Sequence, residues 1–416
     1  MPLYVWDGSQ YVRIDDGSGN LNAKNKVYDA DLDGLIEQLA SHTHNLSDIN
    51  AGTGYYPAKT SRDDNLPSWD DIPDKPSEFP PEAHTHSRSD ISDFFNSPFW
   101  GNIPDRPPIG VVPDDGDLQT VINNLYNDYG GGIVIIKPGT YDIDSPITIP
   151  DNIVIIGYGA TVRATAAIDY IFTNSDTTNG NKNIGIIGVK LDCNSGNADS
   201  GISFTKVTNV AIIDVEILGS EYSAIDIDNA TRIVIRGVYI HDQYGTLIRV
   251  AIDLALSENC IIENCRIENY ASGIRVGTTG GSECKYCTIM NCVIINMTQT
   301  YGIRVDGWDN SVIQCFVDTC GEEGIMLYGE RNKAINNTVK NCDQGGGGWA
   351  GIEIRQNRNI VANNVCFDDQ ETPTQDYGIR EEDGDYNIII GNICYGNATS
   401  SISTVGANTV VANNIT

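Results

Sequence analysis

Basic side chains are scarce in this chain of 416 residues: 26 Lys and Arg stand against 56 Asp and Glu, a formal net charge of -30. That balance argues against a nucleic-acid partner, because phosphate contacts need clustered Lys and Arg. It fits a particle that works in salt, or one that meets a neutral or cationic surface. Long apolar runs are missing too, so no membrane insertion is expected. The opening residues, MPLYVWDGSQYVRIDDG, have neither a basic stretch nor an apolar core, and no Sec-type leader is expected. A protein of this kind acting outside a cell would be released by lysis or carried by a dedicated machine. Cysteine, at 11 residues, is too thinly spread for a disulfide-stapled scaffold. Histidine numbers only five. Four of the five sit in two His-Thr-His tripeptides, which leaves His241 alone, reads it as structural, and removes any Ser-His-Asp arrangement.

What is present falls into two grammars. Most of the prolines precede residue 109, in short modules. YVWDGSQYVRI places a D-G-S turn between aromatic and β-branched residues, a hairpin signal. Leu32, Leu35, Ile36 and Leu39 have helical spacing behind Asp31, a plausible N-cap. WDDIPDKPSEF at 69–79 is echoed by WGNIPDRPPIG at 100–110, and HTHNLSDI at 42–49 by HTHSRSDI at 84–91. Such segments bury too little apolar area as monomers, but become stable if three chains wind along one axis.

In an extended segment residues i and i+2 point the same way, so His42/His44 and His84/His86 each aim two imidazoles at one side. Three chains about a threefold axis would bring six nitrogens together, an octahedral cage for a transition metal, with iron the expected ion. The bland alternative is four solvent-exposed histidines in polar loops. Duplication of the motif, with the following S-D-I kept, favours the metal. These modules, over about residues 40–108, resemble the shaft and collar modules of tailed-virus tail fibres. The resemblance implies H-x-H pairs lining the axis of a homotrimer and holding iron, here at His42, His44, His84 and His86.

From about residue 110 a coil repeat takes over. Leu118, Val121, Ile122 and Leu125 share a helical face, and Gly130–Gly132 end that helix. IVIIKPGTYDI, ITIP and NIVIIGYGATV follow as short strands. Helix and strands together resemble the capped entry of pectate-lyase-like right-handed β-helices. An isoleucine then recurs at 202, 225, 252, 274, 303, 325, 352, 379 and 402, in steps of 22 to 29 residues, which predicts a solenoid with one coil per step. Two further columns stack Cys260, Cys287, Asn310, Asn332, Asn359 and Asn387, and, five residues later in each coil, Cys265, Cys292, Cys315, Asn337, Asn364, Asn392 and Asn414. Stacked asparagines can satisfy one another's buried amides, and stacked thiols act as small apolar fillers, expected to stay reduced.

Outward positions on the isoleucine strands carry Asp226, Asp228, Asp253, Arg275, Arg304, Asp306, Tyr328, Glu353 and Arg355, with Tyr301, Trp308, Trp349 and Tyr377 nearby. Planar polar groups beside aromatic platforms suit a sugar-binding groove. Asp226 with Asp228 or Asp253 has the spacing a glycosidase pair needs. A lyase would instead use Arg275 or Arg304 beside a carboxylate-bound Ca2+. In so acidic a chain the plain alternative is a solvated charged face.

The expectation is therefore an all-β protein: an attachment hairpin and helix at 1–41, fibre shaft modules at 42–108, and a right-handed parallel β-helix with a capping helix at 109–416. Its expected role is that of a virion tail fibre or tailspike. It would attach to other tail proteins through its N-terminus and bind a host surface glycan through the solenoid. A polysaccharide depolymerase and a purely structural fibre are the rivals.

Overall fold

The computed structural model describes residues 4–6, 11–13, 107–278 and 284–416. The chain divides into two units, Met1–Ser97 and Pro98–Thr416. In the first, Tyr4–Trp6 pairs antiparallel with Tyr11–Arg13, the hairpin expected around D-G-S. The helix expected at 31–39 and both His-Thr-His tripeptides lie outside the described residues.

The second unit is a parallel β-solenoid. Its strands form one 13-stranded and two 11-stranded sheets, and each coil adds one strand to each sheet in turn. One coil runs through Thr231–Arg236 in the first sheet, Tyr239–His241 in the second and Val250–Ala255 in the third. The next coil starts at Ile261–Glu263, paired parallel to Thr231–Arg236. The expected isoleucine column is the spine of the third sheet: Ile202 pairs with Ile225, then Ile252, Ile274, Ile303, Ile325, Ile352, Ile379 and Ile402. All but the last are fully buried. Burying each such side chain stabilises the fold by about 2 kcal/mol.

Sharp corners explain the asparagines. Between the first and second sheets the chain turns at one residue in the left-handed region, such as Asn264, Asn291, Asn336 and Asn363 at φ 55, 53, 57 and 56°. Asparagine tolerates that conformation better than other residues with a Cβ. The next residue turns inward, and there the ladder forms. The backbone N–H groups of Cys315, Asn337 and Asn364 donate to Oδ1 of Asn337, Asn364 and Asn392, each at 2.9 Å. The companion ladder runs from Cys287 N–H to Asn310 Oδ1 (2.8 Å) and on through Asn332 and Asn359 to Asn387. Lower in the solenoid both columns change to cysteine, and all 11 thiols are buried and unbridged.

The helix, Leu118–Tyr129 (α1), closes the N-terminal end. Asp117 caps it by accepting from Thr120 N–H, and Gly130 ends it at φ 74°. Its buried face, Leu118, Val121, Ile122 and Leu125, covers the first coil. Gln119 treats the strand Ile147–Ile149 as another strand would: its Oε1 accepts from Thr148 N–H (2.7 Å) and its Nε2 donates to Thr148 O (3.1 Å). An open sheet edge is thereby satisfied.

Candidate glycan-binding cleft on the third sheet

Strand register alone brings the outward residues together. Ser203, Asp226, Asp253, Arg275, Arg304, Met326, Glu353 and Arg380 form one continuous column on the outer face of the third sheet. The plain alternative of a solvated charged face does not hold for this column. Asp253 is 9% exposed and Glu353 0%, and beside the column Asp306 is 2% exposed. Loops that leave the second sheet fold over the face and enclose it.

At the lower end a cleft of about 580 Å³ opens over Asp226, Asp253 and Arg275, with Tyr222, Arg249 and Tyr301 in its walls. Asp226 and Asp253 are direct neighbours on paired strands, about 4.8 Å apart in the backbone. Their environments differ. Asp253 uses both oxygens on the Arg275 guanidinium, accepting Nε at 2.9 Å and Nη2 beside it. Burial, with repulsion from Asp253 and Asp228 added, pushes the Asp226 carboxyl up to about 6, against a smaller pull from Arg275. Asp199, also in the cleft, is raised by burial and by Glu221 and Asp169. Burial likewise raises the Tyr301 phenol, to about 12. Asp228 is outside the lining of this cleft, so of the expected carboxylate pairs only Asp226 with Asp253 shares it.

Arg249 was not anticipated from the sequence. Its guanidinium lies 4.2 Å from the centre of the Tyr222 ring, its Nε is buried without an acceptor, and among the described residues it has no carboxylate in ion-pair range. It comes from the segment 242–249, between the strands Tyr239–His241 and Val250–Ala255. Gln243 pins that segment by donating to Leu247 O (3.0 Å) and accepting from Ala271 N–H (2.8 Å). The connection is of ordinary length for this solenoid, eight residues against nine at 341–349 and 368–376, so the coil period leaves no sequence signal for Arg249.

Further along the column the remaining expected residues meet one another. Arg304 donates to Asp306 at 2.7 and 2.9 Å and lies 4.6 Å from the Tyr328 ring centre. Asp306, Tyr328 and Trp308 border a second opening of about 490 Å³. Arg355 binds Glu353 (2.6 Å) and Glu382 (2.6 Å) and faces Trp349 at 5.5 Å. Trp349 is held by a latch: both oxygens of the buried Asp343 accept N–H groups of Gly347, Gly348 and Trp349 at 2.7–3.0 Å. Glu323, fully buried beside this cluster, has no hydrogen-bond partner for either carboxyl oxygen. Burial and the Glu353 carboxylate push it up to about 8, against a smaller pull from Arg355, whose Nη2 lies 3.6 Å from its Oε1. His241 lies on the second sheet, stacked on Tyr239 at 4.3 Å, with Nδ1 2.8 Å from Asp242, outside the cleft lining.

Among the described residues no group of three or more His, Cys, Asp or Glu side chains is arranged to hold a metal, and no helix is long and apolar enough to cross a membrane. No protein of curated function matches the sequence. Solved structures do match in fold. A Streptococcus pneumoniae surface adhesin, PfbA, superposes with a TM-score of 0.55 at 14% identity, over 71% of this chain and 86% of that one. ORF18 of Geobacillus virus E2 gives 0.53 at 18% identity, over 80% of this chain and 63% of that one. The A-module of the mannuronan C-5 epimerase AlgE6 of Azotobacter vinelandii gives 0.51 at 17% identity, over 72% and 93%. At these identities the likeness is one of fold. The family model described as "Right handed beta helix region" matches residues 170–297 and 272–416, more than half of the sequence, and to that family the chain belongs.

Proposed function

We propose that this protein is a tail fibre or tailspike of a tailed virus, a homotrimer whose β-helix binds a host cell-surface polysaccharide in the cleft over Asp226. The observation that carries the reading is the composition of that cleft. An arginine without an ion-pair partner among the described residues, an aspartic acid that keeps its proton to about pH 6, and three tyrosines converge on the cleft. Sugars are recognised by such planar donors and acceptors beside aromatic faces. The opening at Trp308 lies at the corner where the third sheet passes into the first, beside Tyr328, and supplies a second aromatic surface for a sugar. The fold relatives, among them a surface adhesin, a virus protein and a mannuronan C-5 epimerase, agree with a surface-glycan role. The residues before 109 serve as attachment and shaft, with His42, His44, His84 and His86 holding iron on the trimer axis.

Depolymerase activity is the second reading. Asp226 favours it, because a carboxyl that stays protonated near neutrality is suited to donate to a glycosidic oxygen. Its neighbour weighs against it. Asp253 is committed to Arg275 through both oxygens and so is poorly disposed to attack a sugar or activate water. Binding without cleavage is therefore the reading the cleft favours. Purified protein presented to host capsule and to a glycan array should retain glycan, release no new reducing ends or unsaturated products, and lose at least tenfold in affinity with Arg249→Ala. Retention of no glycan at all would refute the reading, and release of product would replace it with the depolymerase.

A further inference from the structure

The outer face of the first sheet is the wrong polarity for a surface that meets water. Two outward columns run its length. One passes through Ile133, Val154 and Val234 to Ile261 and Ile388; the other passes through Ile135, Ile156, Ile187 and Ile213 to Ile313 and Ile390. These side chains are half-buried or exposed, as Ile135 (37%), Ile261 (39%) and Ile388 (38%) illustrate. Polar positions alternate between the columns so that no coil loses its apolar residue. Where the second column carries Arg236 and Glu263, the first carries Val234 and Ile261. Where the first carries Thr288, Ser311 and Lys333, the second carries Met290, Ile313 and Ile335. Arg236 and Glu263 neutralise each other across adjacent strands. The second sheet carries no apolar stripe over its full length: its outward column reads Lys190, Glu216, Tyr239 and Arg266 before it turns apolar at Val293, Phe316, Val365 and Ile393.

We infer that this face is a self-association surface, on which a copy of the same chain packs with its solenoid axis parallel. Three properties select that occupant. The stripe persists over the whole 13-stranded sheet, so it matches a partner as long and straight as itself. It spans about 58 Å at the strand spacing and about 14 Å across its two columns, roughly 800 Å², which is the area each partner contributes to a standard stable interface. It is also nearly free of charge on a chain of net charge -30, and copies of so acidic a molecule can approach closely only through an uncharged face. The face stands on the solenoid alone. The number of copies, three, rests on the fibre reading above, and about a threefold axis each copy would use the two edges of the stripe against different neighbours.

The test uses the full chain. A photo-crosslinking amino acid in place of Ile313 is expected to join two copies, and the crosslinked peptide should map to first-sheet strands of the other copy. Ile187→Lys combined with Ile313→Lys, both outward and so compatible with folding, should leave the circular dichroism spectrum unchanged and lower the association constant at least tenfold, read as a shift to lighter species in sedimentation velocity. Crosslinks confined to residues 1–108, or no crosslink, would overturn the proposal, as would unaltered sedimentation of the folded double variant. A wild-type dimer joined through this face would sustain the surface and refute the threefold reading, so the two can fail separately.

Discussion

At the scale of single residues, the cleft is organised by two aspartates of opposite character. Asp226 holds its proton up to about pH 6 in the folded chain, whereas its ordinary value is 3.8. Between those values the folded state binds more protons than the unfolded one, so stability falls as pH rises through that window and the loss is complete above it. Asn mimics the protonated acid. Asp226→Asn should therefore raise stability by about 2 kcal/mol at pH 8 and by nothing near pH 4, while changing glycan affinity. Melting curves at the two pH values check this; an equal gain at both would show that the buried charge is not the cause. The ladder asparagines make the opposite case. Asn364 accepts from the N–H and Nδ2 of Asn337 and donates to Ala334 O and Asn392 Oδ1. Asn364→Ala would strand a buried backbone N–H and should cost about 2–3 kcal/mol, read in urea unfolding. Asn364→Cys is expected to cost less, since the chain itself uses cysteine at the same ladder position three coils down, at Cys292.

At the scale of elements, coils repeat but their loops do not, and this divides what the sequence discloses from what it conceals. The isoleucine spine, both ladders, the hairpin and α1 were legible because each depends on local spacing: a coil period, a one-residue corner, a helical face with a cap. The register of Asp226, Asp253, Arg275, Arg304 and Glu353 followed from the same period. Their burial did not. It depends on segments such as 242–249, which walls the cleft over Asp226, and 343–349, which sets Trp349 against Arg355 and Arg380. Arg249 went unseen for that reason, having no counterpart in the repeat. The Asp343 latch shows how such a loop is fixed. Asp343→Ala removes the acceptors of Gly347, Gly348 and Trp349. It should release the glycine-rich turn, seen as faster proteolysis within 343–349 and a red-shifted Trp349 emission, with the solenoid's own unfolding midpoint little changed.

At the scale of the whole molecule, the proposed trimer has two independent means of registration, and they respond to different treatments. Association through the apolar stripe would resist chelators and weaken with charge substitutions. The His-Thr-His pairs, which lie outside the described residues, would hold their ion only if three chains converge, because one chain supplies two imidazoles where an octahedral cage takes six. Metal analysis of the purified full-length protein should therefore find iron bound in proportion to trimer, and none in the variant carrying His42→Ala, His44→Ala, His84→Ala and His86→Ala. If the stripe holds the solenoids together, that variant should still sediment as the oligomer while its N-terminal part becomes more accessible to protease. Dissociation on loss of the histidines alone would assign assembly to the shaft and leave the stripe an accessory contact. Iron bound at full stoichiometry in a monomer would contradict convergence altogether, since no single chain offers the six nitrogens at one point.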